Sequence, residues 1–353
     1  MNYMYDVNKV LKQVTLKNIS VKNRVVRSAT NDYAGNTDGT ITDYQIDICR
    51  ELAKNEVGLL FTANFYVSDS GKADRFQNSI DDDCYISGMK KLTGAVHEHD
   101  CKIVAQISHA GAKANSEGWP LFVPFISPYY TSSTYELLSV NGIGLLVDRF
   151  IDAAYRAKRA GFDGIQLHCA HGYLLSDFIS PLINKRTDLY GGSAENRFRI
   201  VREIIEGIKI TCGSDFPVFI KINSNLPDND SAYLDDLIYI LNKCKESGVE
   251  AVELSGCDFT GFNKLEPPYY LSRGAELKKQ VDIPIILVGG IRSFEDMNNV
   301  INKGVDMVSL SRPFICEPDL LPKLIAGQER AKCLSCNKCF TLYKTDKRRC
   351  MFN

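Results

Sequence analysis

Short apolar runs alternate with longer amphipathic segments through most of the chain. Runs of strand length, rich in Val, Ile, Leu and Phe, fall at Arg24–Thr30, Val57–Ala63, Lys102–Ser108, Asp163–His168, Val218–Asn223, Ala251–Ser255, Pro284–Val288 and Met307–Leu310. Between them, helical periodicity predicts Asp43–Asn55, Tyr85–Glu98, Leu145–Ala160, Ala194–Ile210, Ala232–Ser247 and Phe294–Asn302. The fourth of these helices begins near Ser193, with Glu195 in its first turn and Phe198, Ile200, Val201, Ile204 and Ile205 as its apolar stripe. The segments Ala160–Asp163, Ser247–Glu250 and Lys303–Asp306 each place a glycine where a helix ends and a strand begins. Ahead of the first strand, residues 1–23 read as a lead-in, with 14–21 as a short hairpin over one end of the fold.

A length of 353 residues fits two domains or one large barrel. Eight strand–helix alternations with no linker between halves favour a closed (β/α)8 TIM barrel, an α/β fold, over residues 1–325, followed by a Cys-rich tail over 326–353. A doubly wound sheet is the rival; the turn after the first strand lacks the Gly-x-Gly-x-x-Gly pattern that would support it. Composition is ordinary for a soluble protein with a large core: 44% hydrophobic and 24% charged residues. A net charge of −1 gives no reason to expect nucleic acid or an anionic membrane surface as partner. No apolar run reaches the roughly 18 residues of a membrane helix, and the N-terminus lacks the basic and apolar regions of a signal peptide. Of twelve cysteines, eight are scattered singly, which fits a reducing cytoplasm.

The candidate chemistry concentrates at strand ends. In Asp163–His168, Gln166 and His168 share one face and Ile165 and Leu167 the other. Past its tip the chain presents His168, His171 and Tyr173 in quick succession, a set not suited to packing alone. In a barrel of this kind the chemistry lies at the C-terminal ends of strands, and a phosphate lies by the loops after strands seven and eight. Those loops carry Gly289-Gly290 and Ser311-Arg312-Pro313, glycines for close backbone approach and an arginine for bidentate pairing. Gln106 and Lys221 sit near the C-terminal ends of otherwise apolar strands. They either pair inside the barrel, Lys221 with Glu253 or Gln166, or face the polar edge of a flat ring system, where a cation stabilises an anionic reduced heterocycle.

These residues fall in strings. One runs His168-Cys-Ala-His-Gly-Tyr-Leu, then Phe178-Ile-Ser-Pro-Leu-Ile-Asn-Lys-Arg-Thr-Asp-Leu-Tyr-Gly-Gly-Ser-Ala-Glu-Asn-Arg197. Others are Leu16-Lys-Asn-Ile-Ser-Val-Lys-Asn-Arg-Val-Val-Arg27, Gln106-Ile-Ser-His-Ala-Gly111, Val288-Gly-Gly-Ile291 and Leu310-Ser-Arg-Pro313. Together they resemble the old yellow enzyme family of FMN-dependent ene-reductases, from about residue 10 to residue 325. The resemblance implies an FMN held by Ser28, Ala29, Thr30, Gln106, Lys221, Gly289, Gly290, Ser311 and Arg312 and reduced by NADH or NADPH. It implies that His168 and His171 hold the carbonyl of an enone-type small molecule, that Tyr173 donates the proton, and that Tyr33 touches substrate. Two imidazole N–H donors polarise an enone, and a phenol of pKa about 10 can protonate its α-carbon as hydride reaches the β-carbon. His97, His99 and His109 read as structural, and Arg186, Tyr190, Glu195 and Arg197 as braces of the long loop. The chain departs from the family at Ser28-Ala-Thr-Asn31: Asn31 stands where many members carry the Thr or Cys that tunes the flavin potential. It departs again at Ser311, where a glycine is usual.

Cys333, Cys336, Cys339 and Cys350 could form a tetrathiolate for zinc or an iron–sulfur cluster. They resemble the motif of the 2,4-dienoyl-CoA reductase branch, whose [4Fe–4S] centre relays electrons from an FAD-containing half, although one spacing is a residue shorter here. With the chain ending at Asn353, no such half is expected. Free or zinc-bound thiols and a disulfide are the other readings. Two functions follow: a self-sufficient NAD(P)H-dependent ene-reductase, or an iron–sulfur flavoprotein subunit fed by a partner reductase. A flavin protein without turnover and an amine-oxidising relative are more remote. Loops 64–82, 113–143 and 257–274, with Trp119, Phe122, Phe125, Tyr129, Phe259, Phe262, Tyr269 and Tyr270, are expected to shape the pocket. Relatives of this family often pair, so a homodimer is a further expectation.

Overall fold

In a computed structural model the protein is described over residues 7–115, 118–131, 134–227, 232–261, 268–340 and 349–351. Eight parallel strands close on themselves: β1 Val25–Arg27, β2 Leu59–Phe61, β3 Lys102–Ser108, β4 Ile165–Cys169, β5 Val218–Asn223, β6 Val252–Ser255, β7 Ile285–Val288 and β8 Met307–Leu310. Neighbours in sequence are neighbours in the sheet, β8 pairs with β1, and β2 pairs with β3, so no edge is left open. This is the (β/α)8 barrel that the alternation of short apolar runs and amphipathic helices predicts. Helices α1 Asp43–Lys54, α2 Ile86–His97, α3 Val140–Arg159, α4 Ala194–Cys212, α5 Ala232–Glu246, α6 Leu271–Leu277 and α7 Phe294–Asn302 accompany the strands.

The helix starts have local causes. Thr42 and Gln45 form a reciprocal capping box on α1, and Ser193 caps α4 by accepting from the Asn196 N–H. Helix α3 begins five residues before the predicted Leu145, because the Ser139 hydroxyl accepts from the Gly142 N–H and starts the turn despite Gly142 and Gly144. The periodicity also passes over the short helices Leu174–Ile179, Arg312–Cys316 and Leu320–Ile325, and over the parallel pair Leu121–Val123 with Tyr135–Leu137. None of these is long enough to show a period.

Two apolar layers hold the barrel. The larger lies between strands and helices, with Phe150, Phe198, Ile204 and Leu237 on the helix side and Ile165, Ile220 and Leu254 on the strand side. The smaller fills the N-terminal half of the interior, where Leu59, Phe61, Val104, Phe219, Ile286 and Met307 meet Val14, Leu16, Ile19 and Val21 of the hairpin. The hairpin therefore plugs the lower end. The interior positions nearer the C-terminal mouth are polar, and that change of character places the site. Among the described residues, no helix is long and apolar enough to cross a membrane.

Candidate active site

The polar upper layer of the barrel is one hydrogen-bonded network centred on Glu253. Its Oε2 lies 3.2 Å from Lys221 Nζ and accepts from Gln166 Nε2 at 3.1 Å, while Oε1 accepts from Ser309 Oγ at 2.6 Å. Lys221 Nζ also donates to Ser28 Oγ at 2.7 Å, and Gln106 Nε2 donates to Gln166 Oε1 at 2.7 Å. Strand register sets these contacts: Lys221 stands beside both Glu253 and His168, and Gln106 beside Gln166. Lys221 is paired with Glu253, as one reading had it, and also lines the cavity above.

That cavity, of about 290 Å3, gathers every residue singled out for the cofactor: Ser28, Ala29, Thr30, Gln106, Lys221, Gly289, Gly290, Ser311 and Arg312. It also holds His168, His171, Tyr173 and Tyr33. The rings of His168 and His171 meet edge to face with centroids 5.3 Å apart, and the Tyr173 ring lies 4.4 Å from His168. His171 sits at a left-handed φ of 61°, held there by its N–H donating to Asn223 Oδ1, and its Nε2 is 2.8 Å from Ser255 Oγ. Burial first, then the neighbouring His168, Lys221 and Lys113, hold the His171 imidazole well below its ordinary range. His168 is held down by burial, then by the two lysines. Both rings are therefore neutral, with one N–H each. His168 Nδ1 is buried with no partner within the described residues. The Tyr173 oxygen accepts from Asn64 Nδ2 at 3.3 Å.

At the other end, Gly289 and Gly290 have φ of 123° and 77°, and a Cβ on Gly289 would stand 2.9 Å from the Tyr269 ring. Arg312 closes this end, and Arg292, which the sequence reading passed over, lies beside it. The Arg292 guanidinium donates to Gly290 O at 3.0 Å, to Tyr269 OH at 3.0 Å and to Ser335 Oγ; Arg312 donates to Asn337 Oδ1 at 2.5 Å. The start of the Cys-rich tail is thus tied to the glycine–arginine end of the cavity.

The tetrathiolate expectation finds no support: among the described residues no three Cys, His, Asp or Glu side chains are placed to hold a metal ion. Cys333 is buried, Cys336 exposed, and Cys339 and Cys350 half-buried. The four cysteines line one small recess with Arg312, Ser335 and Asn337, and the two arginines hold Ser335 and Asn337, both at left-handed φ.

Asn31 lines the cavity and donates to Asp74 Oδ2 at 2.7 Å. Arg186 bridges Asp188 to the carbonyls of Pro124 and Leu138, and Arg197 ties Ile179 O to Asp236, so the long loop is braced by these side chains. His109 is buried against Ser70 and the Gly111 N–H, and His97 pairs with Asp163. Phe259 and Tyr270 line the cavity, Tyr269 holds Arg292 beside it, Tyr129 lines the neighbouring chamber, Trp119 is largely exposed, and Phe262 lies outside the described residues. Glu253, a charge inside a four-residue apolar strand, was a readable signal; Lys113, Asn64 and Arg292 carry none.

Comparison with known proteins agrees with this geometry. The NADH:flavin oxidoreductase / NADH oxidase family matches residues 9–331. An NADH oxidase of Thermoanaerobacter brockii is 35% identical over 334 residues, which are 91% of this chain and 51% of that protein. A solved complex of 2-naphthoyl-CoA reductase with 2-naphthoyl-CoA superimposes with a TM-score of 0.90 at 26% identity, over 98% of this chain and 57% of that one. The old yellow enzyme homologue from Zymomonas mobilis gives a TM-score of 0.79 at 25% identity, over 92% and 94% of the two chains. The chain therefore spans little more than half the length of the first two of these proteins.

Proposed function

Because this chain belongs to the NADH:flavin oxidoreductase / NADH oxidase family, the family of the old yellow enzyme, we propose that it is an FMN-dependent oxidoreductase that uses NAD(P)H to reduce the activated C=C bond of α,β-unsaturated carbonyl compounds. The observation that carries this reading is the convergence of His168, His171 and Tyr173 on the one cavity whose other end is built from Gly289, Gly290 and Arg312. The residues fit FMN. A positive-φ glycine pair that no Cβ could share and a guanidinium beside it suit a phosphate, and the Lys221 ammonium and Gln106 amide suit the polar edge of a flat ring.

FMN, when bound, supplies the hydride that it has taken from NAD(P)H. The chain supplies the rest. His168 and His171, both neutral and the latter fixed by Asn223 and Ser255, present N–H donors to a carbonyl oxygen and gather the charge that develops on it. The Nδ1 of His168 has no partner among the described residues, and the side chain lines the cavity. Tyr173, anchored through Asn64, stands against His168 and delivers the proton. Phe259, with its ring 5.1 Å from His171, screens the pair from water.

The test is an anaerobic absorption titration of the purified protein. Bands of a bound flavin, bleached by NADH or NADPH and restored by cyclohexenone, are expected. A protein that holds flavin yet returns no electrons to any enone would sink the proposal.

A further inference from the structure

The cavity of the catalytic groups has a larger neighbour. Beyond Lys113, His171 and Phe259, which line both, lies a second chamber of about 410 Å3. Its walls are largely apolar, with Ile179, Leu182, Ile183, Leu226 and Tyr233 among them, and among the described residues Asp177 is the only carboxylate in its lining. Asp177 stands on the short helix Leu174–Ile179, which begins directly after the proton donor Tyr173, and it is 4% exposed. Its Oδ2 accepts from Tyr130 OH at 2.8 Å, and its Oδ1 accepts no hydrogen bond from any described residue. Lys113 is the nearest candidate partner, yet its ammonium donates to the His171 carbonyl oxygen instead. Gly172 keeps the space between them open: a Cβ there would stand 3.1 Å from Lys113 Nζ and 3.8 Å from Asp177 Oδ1.

A buried carboxylate with one oxygen unused is costly to leave in that state, and a ligand donor removes the cost. Resting on the function proposed above, we infer that Asp177 is a specificity-determining residue. Its Oδ1 accepts a hydrogen bond from a hydroxyl on the part of the substrate that passes His171 into the second chamber. The preferred acceptors are then enones with a ring large enough to reach past His171 and a hydroxyl remote from the C=C bond. A hydroxyl fits better than an ammonium. Lys113 already places a positive charge beside the carboxylate, so a second cation there would meet a like charge. A site built around a hydroxyl discriminates strongly against the analogue that lacks it, because the protein's own polar group is then left unpaired.

The experiment compares kcat/KM of the flavin-loaded enzyme for benzylideneacetone and for its para- and meta-hydroxy derivatives. The wild type is expected to favour at least one hydroxy derivative by about tenfold or more. Asp177→Leu is expected to bring that ratio near one, and the near-isosteric Asp177→Asn to lower it at least threefold. The ratio cancels any general loss of activity, and the Asn variant keeps the test valid if the Leu variant does not fold. Ratios near one in the wild type, or a ratio that Asp177→Asn leaves unchanged, overturn this inference alone. No turnover of the three compounds while cyclohexenone is reduced also overturns this inference alone, and no turnover of cyclohexenone either sinks it together with the function it rests on.

Discussion

Inside the barrel, Lys221 Nζ and Glu253 Oε2 lie 3.2 Å apart, with side chains 4% and 0% exposed. Neither charge reaches water, so each depends on the other and on Ser28, Gln166 and Ser309. Glu253→Gln leaves the ammonium buried without its counter-charge. A loss of about 3–5 kcal/mol in urea unfolding is expected, with much of it recovered in the double variant with Lys221→Met. A Glu253→Gln protein of wild-type stability would mean that Lys221 finds compensation elsewhere.

Removing the phenol of Tyr173 separates the two halves of the proposed reaction. Tyr173→Phe keeps the ring stacked near His168 and loses only the proton source. Stopped-flow reduction by NAD(P)H should stay within a few-fold of wild type. Reoxidation by cyclohexenone should slow by about two to three orders of magnitude. Equal slowing of both half-reactions would remove Tyr173 from the protonation step.

The glycine–arginine end predicts a phosphate-specific effect. Arg312→Met should weaken FMN binding at least tenfold by fluorescence titration while leaving riboflavin, which has no phosphate, nearly unaffected. Similar losses for both ligands would place the role of Arg312 in holding the tail through Asn337.

Stability should depend on the buried histidines. Burial holds His109 down to about 4 and His168 and His171 well below the usual range, so all three are neutral in the fold. Unfolded, each takes up a proton near pH 6.5. Below that pH the unfolded chain binds more protons than the fold, and stability falls as pH drops, by up to about 1.4 kcal/mol per pH unit for each ring. Asp177, pushed up to about 6 mainly by burial, acts oppositely between that value and about 4, because there the fold holds a proton that the unfolded carboxylate releases. It offsets one histidine of three. The melting temperature is expected to be lower at pH 5.5 than at pH 7.5; no difference would mean that protons reach these rings in the folded protein.

Gly289→Ala tests the close approach. Its φ of 123° and the Tyr269 ring 2.9 Å from the added methyl both oppose the change. Purified Gly289→Ala protein is expected to carry little flavin, and to unfold about 1–3 kcal/mol more easily. Full flavin content would show that the backbone there does not approach the cofactor.

Local patterning alone sufficed for the frame. Lys102–Ser108, Val218–Asn223 and Met307–Leu310 occupy the residues that their apolar runs predict, because a strand buried on both sides leaves a short, dense hydrophobic run that needs no knowledge of its partners. The spacing of His168, His171 and Tyr173 at one strand tip likewise reads directly from the chain, since sequence neighbours stay neighbours in space. What the tertiary structure decided are meetings between residues far apart in sequence. Glu253 joins Lys221, Gln166 and Ser309 only because barrel closure and strand register put three other strands around it. Ser335 and Asn337 find Arg292 and Arg312, and so tie the start of the tail to the glycine–arginine end of the cavity. The second chamber exists because loops without any period fold Tyr130 and Lys113 over the helix that carries Asp177. Hydrophobic period records how deeply each residue is buried; which polar groups then share that buried space is set by closure, register and loop path, and those are properties of the whole fold.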